Sequence, residues 1–163
     1  MKPFSIFLKL ALMGAIGATA ISAPAMDRFT ALAQIESADK HHPFGNDFCV
    51  GPDGELSRYQ ISPAIVAEFH IDAARLTDPV YALKQANRIM QARCGAFEAR
   101  YQRPPTDFEF YILWHRPARL LADSSLITSA EADRAQRFAN LCGEKWRISS
   151  NTKRFPLADL KGT

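Results

Sequence analysis

The sequence is poor in the residues and spacings that metal sites require. Its 163 residues include only three cysteines and four histidines. The cysteines, Cys49, Cys94 and Cys142, are too far apart for a zinc motif, which needs ligands a few residues from each other. No His-x-x-x-His or His-Glu-x-x-His spacing occurs. We therefore expect no metal site and no other cofactor.

Three further kinds of site lack their sequence signals. There is no Gly-x-Ser-x-Gly turn for a serine nucleophile and no glycine-rich loop for a phosphate. The net charge is +3, and two lysines and no acids lie in the first 25 residues, so the rest of the chain carries only +1. This balance gives no basis for a nucleic-acid surface.

The first 25 residues have the three parts of a cleavable secretory signal peptide. Lys2 and Lys9 provide a positive start, residues 10–23 are uncharged and apolar, and Ala23-Pro24-Ala25 is a small-x-small cleavage site. The alternative is a retained membrane anchor, but the apolar run is short for a hydrocarbon core about 30 Å thick. We therefore expect a periplasmic or secreted protein that begins at Met26 and keeps no stable membrane anchor.

Capping residues and prolines divide the remaining chain into helices. Helices are predicted over residues 27–37, from 63 onward, and over 80–100, 106–115 and 128–142. The longest is expected to turn one stripe inward: Leu83, Asn87, Met90, Cys94, Phe97 and Tyr101. The patterns predict a mainly α fold with a short β-hairpin or loop region around residues 48–62. A single domain is expected over residues 26–147, followed by a tail over 148–163.

Glu36 is the residue that points most clearly to chemistry. It shares a helix face with Phe29, Leu32 and Ala33. A carboxyl held against apolar side chains resists ionisation, so its pKa is expected to rise, and it can then donate a proton near neutral pH. The alternative is a glutamate at an exposed helix end, which the periodicity alone favours.

Three blocks resemble the lysozyme-like (SLT-type) domain of bacterial lytic transglycosylases. In the first, Ala31–Ser37 is similar to a helix whose Glu-Ser end holds the catalytic acid. The second, Arg-Tyr-Gln-Ile-Ser-Pro over residues 58–63, looks like the family's Gly-x-x-Gln segment. The third, residues 113–117, follows a helix as the family's Tyr-Asn-Ala-Gly turn does. Ser57 stands in place of the second block's glycine, and His115 and Pro117 replace the asparagine and glycine of the third.

The resemblance implies an α+β lysozyme-like fold and an exported glycosidase of the bacterial cell wall. Its substrate would be peptidoglycan, cut at the β-1,4 bond between N-acetylmuramic acid and N-acetylglucosamine. Glu36 would be the catalytic acid of a lytic transglycosylase, a reaction that needs no second carboxylate. In hydrolysing lysozymes a second acid usually follows the first helix, a region that here contains Asp47, Asp53 and Glu55.

The resemblance also implies a set of substrate-binding residues: Ser37, Tyr59, Gln60, Trp114 and His115. Ser37 either orients the catalytic acid or only caps its helix. Tyr59 and Gln60 either line the cleft or serve as a core aromatic and a polar residue on a short strand. Trp114 either stacks on a sugar ring or packs at a helix end.

Two other functions stay open on the sequence alone. One is a non-catalytic module that binds glycan or a partner on an altered lysozyme-like scaffold. The other is an unrelated small secreted helical protein. The enzyme requires that Glu36, Gln60 and Trp114 converge on one groove. On that hypothesis the partner is the glycan strand of peptidoglycan, and the protein is expected to be a monomer.

Overall fold

The computed structural model describes residues 25–143, and this part of the chain is mainly helical, as predicted. The α-helices in it are α1 Arg28–Ser37, α2 Pro63–Glu68, α3 Pro79–Tyr101, α4 Asp107–His115, α5 Pro117–Ala122 and α6 Ser129–Leu141. Short 3-10 turns occur at Ala73–Arg75 and Ser124–Leu126. The predicted signal peptide (all but its last residue) and the predicted tail, 148–163, lie outside the described residues. None of the helices described is both long and apolar enough to cross a bilayer.

Side-chain caps begin most of these helices, because the first turn of a helix leaves backbone N–H groups without partners. The caps are Asp27, Ser62, Asp78, Thr106 and Thr128, in front of α1, α2, α3, α4 and α6. In front of α4 and α6 the capping box is complete, since a glutamate also accepts from the cap residue's N–H. The predicted helix starts are therefore confirmed to within one or two residues.

Pro117 stands at a boundary between two helices. The fourth helix ends at His115 as predicted, and Pro117 then begins α5, a helix that the sequence analysis did not predict. Arg116 between the two helices has φ −144° and ψ 66°, which breaks the helical path. Proline fits the first position of a helix because it has no N–H to leave unpaired. The chain therefore turns sharply here, and α5 continues on a new axis.

The buried helix α4 forms the centre of the core. Residues 110–114 are all buried, with exposed fractions between 0% and 7%. This helix packs against α3, α5 and α6, and it touches α1 through the rings of Phe29 and Phe110, whose centroids are 5.9 Å apart. An ion pair of 2.7 Å between Arg28 and Asp107 joins the beginnings of α1 and α4.

The inner face of α3 differs in part from the predicted stripe. Met90 and Phe97 are buried as expected, but Leu83 is 39% exposed. In the first half of α3 the buried residues are instead Ala82, Gln85, Ala86 and Ile89. The prediction followed the large residues, whereas two fully buried alanines, Ala82 and Ala86, form part of the inner face.

The region between α1 and α2 is a tight loop with very little β-structure. The predicted hairpin is reduced to two isolated antiparallel bridges, Val50 with Leu56 and Leu56 with Ile61. A bidentate ion pair fixes the loop, because Nε and Nη2 of Arg58 each lie 2.5 Å from a carboxylate oxygen of Asp47. Such an ion pair, between two side chains that are mostly withdrawn from solvent, holds the loop in one conformation beside α1.

Two glycines provide a matched test of this arrangement. Gly45 has φ +103°, and a Cβ there would lie 2.8 Å from the Cβ of Ala33 on α1. Gly95 lies in α3, and a Cβ there would meet nothing within 4 Å. Gly45→Ala should lower the free energy of unfolding by more than about 1 kcal/mol, and Gly95→Ala should raise it by about 0.5–1 kcal/mol. Urea unfolding measures both, and a change of the same sign in the two variants would contradict the packing of this loop on α1.

Candidate active site

A cleft of about 830 Å³ opens where the loop before α2 meets the helices. Each of the helices α1 to α6 contributes at least one residue to its lining. The helical residues are Glu36, Ile65, Ile89, Arg93, Trp114, His115, Pro117, Ala118, Arg119 and Arg134. The loops add Pro52, Asp53, Glu55, Gln60, Ile61, Ser62 and Arg116. The site is therefore a product of the whole fold rather than of one segment.

Four of the six predicted site residues meet in this cleft: Glu36, Gln60, Trp114 and His115. Trp114 is only 7% exposed, and its ring packs edge-on against Tyr59 with centroids 6.4 Å apart. The His115 ring stacks on Tyr111 at 6.1 Å. Three residues that are distant in sequence, Glu36, Gln60 and Trp114, thus converge on one groove.

Ser37 and Tyr59, the other two predicted substrate contacts, do not line the cleft. Ser37 is buried, and its hydroxyl donates to the carbonyl oxygen of Arg58 at 2.8 Å and accepts from the Asn46 N–H at 2.9 Å. These bonds attach the end of α1 to the loop, so the hydroxyl has no contact with Glu36. Tyr59 is 3% exposed and packs between Phe29 and Trp114. Both residues are therefore structural neighbours of the site and not part of its surface.

The Glu36 carboxyl is partly buried at the cleft wall. Burial raises its pKa above the ordinary value of 4.5, the direction that the sequence predicts, and the negative charge of Glu55 adds to the rise. The hydroxyl of Tyr111 and the charge of Arg134 oppose it. Oε1 of Glu36 and the Tyr111 hydroxyl are both closed to solvent, and neither has a partner in hydrogen-bond geometry within residues 25–143.

Gly51 lets two polar side chains meet in the cleft. A Cβ at this position would collide with the carboxylate of Glu55 and with the amide oxygen of Gln60. The Glu55 carboxylate accepts from the Asp53 N–H at 3.0 Å, and the Gln60 amide donates to the carbonyl oxygen of Ser57 at 3.0 Å. Of the three candidates for a second acid, Asp53 and Glu55 line the cleft. The third, Asp47, is held by Arg58 outside the lining.

Four arginines in the lining were not predicted: Arg93, Arg116, Arg119 and Arg134. The guanidinium of Arg93 donates to the carbonyl oxygens of Leu113 and Trp114, at 3.0 and 2.5 Å. Burial, together with the nearby arginines, lowers the pKa of His115 below its usual value. The arginines come from α3, α5, α6 and the turn at 116, so no local sequence pattern could have grouped them. Tyr111 was missed for the same reason, since only packing brings it to Glu36.

The raised pKa of Glu36 makes a prediction about stability. A carboxyl whose pKa is higher in the folded chain contributes stability that is fully present below pH 4.5 and is lost as the pH rises through its folded pKa. Glu36→Gln removes that loss, so it should increase the free energy of unfolding at neutral pH by on the order of 1 kcal/mol. The gain should disappear in acid.

Urea unfolding at neutral pH and below pH 4.5 measures the difference. The matched control is Glu98→Gln, because Glu98 is exposed on α3, and surface substitutions change stability by no more than about 0.5 kcal/mol. An equal effect of Glu36→Gln at both pH values would show that folding does not raise the pKa of the Glu36 carboxyl.

Comparison of the chain with protein-family models, with curated proteins and with solved structures finds no match in any of the three. Within residues 25–143 no group of three or more His, Cys, Asp or Glu side chains is arranged to hold a metal ion. The functional assignment therefore depends on the residues of the cleft and their geometry.

Proposed function

We propose that the chain is an exported enzyme that cleaves peptidoglycan at the β-1,4 bond between N-acetylmuramic acid and N-acetylglucosamine. The observation that carries this proposal is the meeting of Glu36, Gln60 and Trp114 in one cleft. These residues come from the three separate blocks that resemble lytic transglycosylases. A chance resemblance of one helix end would give no reason for the other two blocks to converge on it.

The backbone at Ser57 supports the comparison of the second block. Ser57 stands where the family has glycine, and its φ of +67° is in the left-handed region that favours glycine. The backbone shape that glycine would provide is therefore kept here with a serine. We interpret the bridged loop of residues 50–61 as the reduced β-region of a lysozyme-like α+β domain.

Glu36 has the properties that a general acid needs at this position. Its raised pKa keeps the carboxyl protonated toward neutral pH, so it can protonate the glycosidic oxygen as the sugar approaches an oxocarbenium-like state. The carboxylate left behind faces the Tyr111 hydroxyl and the charge of Arg134, which both favour the ionised form. It can then accept the proton of the sugar's own 6-hydroxyl, whose oxygen closes the 1,6-anhydro ring.

Gln60 and Trp114 would position the glycan for this reaction. The Gln60 amide group already donates to Ser57, so its oxygen is the part left to accept from a sugar hydroxyl or acetamido N–H. Trp114 exposes only a narrow part of its ring, which suits contact with one face or edge of a sugar. Both residues are held in place by buried neighbours, so little ordering is required when the substrate binds.

Glu55 favours one variant of this function, a hydrolysing lysozyme. It lines the same cleft, and its charge acts on Glu36. In a hydrolytic reaction a second carboxylate activates water or forms the glycosyl intermediate. The two variants differ in their products, since hydrolysis leaves reducing ends and the lytic reaction leaves anhydro ends.

The decisive test is digestion of peptidoglycan sacculi with the purified chain lacking residues 1–25, followed by mass spectrometry of the released fragments. Glu36→Gln should lower the release by about 100-fold or more, since a positioned general acid contributes that much. Glu98→Gln serves as the control and should release fragments like the wild type. Anhydro ends support the lytic reaction, whereas reducing ends that depend on Glu55 support hydrolysis. No release by a folded wild-type protein would refute the enzyme and favour a glycan-binding module.

The pH dependence of cleavage tests the electrostatic setting of Glu36. Activity should fall as the pH rises through the raised pKa of Glu36, because the acid form is consumed. Glu55→Gln removes a negative charge that raises this pKa, so the fall should move to lower pH. Arg134→Gln removes a positive charge that lowers it, so the fall should move to higher pH. If both variants shift the fall in the same direction, Glu36 is not the group whose ionisation causes it.

A further inference from the structure

The charges that line the cleft are divided between two regions. The acidic side chains other than Glu36 are Asp53 and Glu55, on the loop before α2. The basic side chains are on α3, α6 and the start of α5, and we call them the arginine wall: Arg93, Arg116, Arg119 and Arg134. The hydroxyl and acetamido groups of the glycan are uncharged, so they give no reason for four guanidinium groups in one wall.

The arginine wall forms few close ion pairs for its number of charges. Arg116 and Arg119 share the single carboxylate of Glu131, with Nε of Arg116 at 3.5 Å and Arg119 in closer contact. Neither Arg93 nor Arg134 forms an ion pair with a carboxylate of the described residues. Arg93 and Arg134 therefore interact with carboxylates only at longer range, Arg93 with Glu68 and Arg134 with Glu36, and neither guanidinium is in contact with one.

Arg93 shows that one of these charges is held in place at a cost. Its guanidinium is part-buried, fixed by the carbonyl oxygens of Leu113 and Trp114, and it lies 5.8 Å from the Trp114 ring. The charge of Glu68 acts on it only at a distance, and a charge withdrawn from water without a carboxylate in contact is unfavourable. Its retention beneath the cleft is understandable if the counter-ion arrives with the ligand.

We infer that the arginine wall binds a carboxylate of the peptide attached to the glycan, so that the enzyme favours strands whose peptides keep free carboxylates over strands in which these are amidated. This inference rests on the proposed function. In such strands the lactyl carboxyl of N-acetylmuramic acid is consumed in the amide bond to the peptide. The negative charge therefore lies on the peptide carboxylates, and a guanidinium is the group that binds a carboxylate through two parallel hydrogen bonds.

The test is binding of a disaccharide, N-acetylglucosamine β-1,4-linked to N-acetylmuramic acid, that carries its peptide. This probe lacks the bond that the enzyme cleaves, so the wild-type protein can be used in calorimetry. One form keeps the peptide carboxylates, and the other has them converted to carboxamides. The carboxylate form should bind about tenfold or more tightly than the amide form, and added salt should reduce the difference.

Arg134→Gln should weaken binding of the carboxylate form about tenfold while leaving the amide form nearly unchanged. Arg137→Gln is the matched control, because Arg137 is also exposed on α6 but does not line the cleft. Each variant loses one positive charge, so a difference between them reports position and not net charge. Arg137→Gln should leave both affinities as they are in the wild type.

Equal affinities of the two forms would overturn the inference, and so would an equal loss of both in Arg134→Gln. Absence of binding by either form would overturn it as well. Digestion of sacculi by the wild type decides separately whether the proposed function stands. If sacculi are cleaved while the two forms bind equally, the enzyme is kept and the peptide site is rejected.

Discussion

The burial of α4 on all sides is the constraint on which the rest of the structure depends. Residues 110–114 have almost no contact with water, so the helix can exist only inside a shell made by α1, α3, α5 and α6. Its last carbonyl groups accept from Arg93, which ties the end of the helix to α3. Because Tyr111, Trp114 and His115 lie on this helix, the same burial sets the positions of the groups around Glu36.

The local signals in the sequence predicted the helices well and their environment less well. Caps such as Thr106 act within one turn, so their effect can be recognised without knowing the fold. The role of Pro117 and the exposure of Leu83 depend on where neighbouring helices lie. Of the two alternatives predicted for residues 48–62, a hairpin or a loop, the structure shows the loop, because the ion pair of Asp47 with Arg58 and the hydroxyl of Ser37 hold it with only isolated bridges.

The residues of the candidate site also differ in whether local sequence patterns could predict them. Glu36, Gln60 and Trp114 could be selected because each belongs to a block of neighbouring residues with a recognisable pattern. Ser37 and Tyr59 belong to the same blocks but turn inward, and the pattern does not record which way a side chain faces. Tyr111, Arg93, Arg119 and Arg134 lie outside the three blocks that the resemblance marked, so only tertiary packing reveals them.

The two ends of the described chain meet. The Met26 N–H donates to the carbonyl oxygen of Leu141 at 2.9 Å, and α1 packs on α6. Glu36 on α1 and Arg134 on α6, which acts on its charge, are thus separated by almost the whole domain in sequence. A chain that is still being synthesised carries the glutamate first and its electrostatic partner last. The cleft is complete only after α6 has packed on α1. The proposed cleavage of peptidoglycan therefore requires the whole domain to be folded.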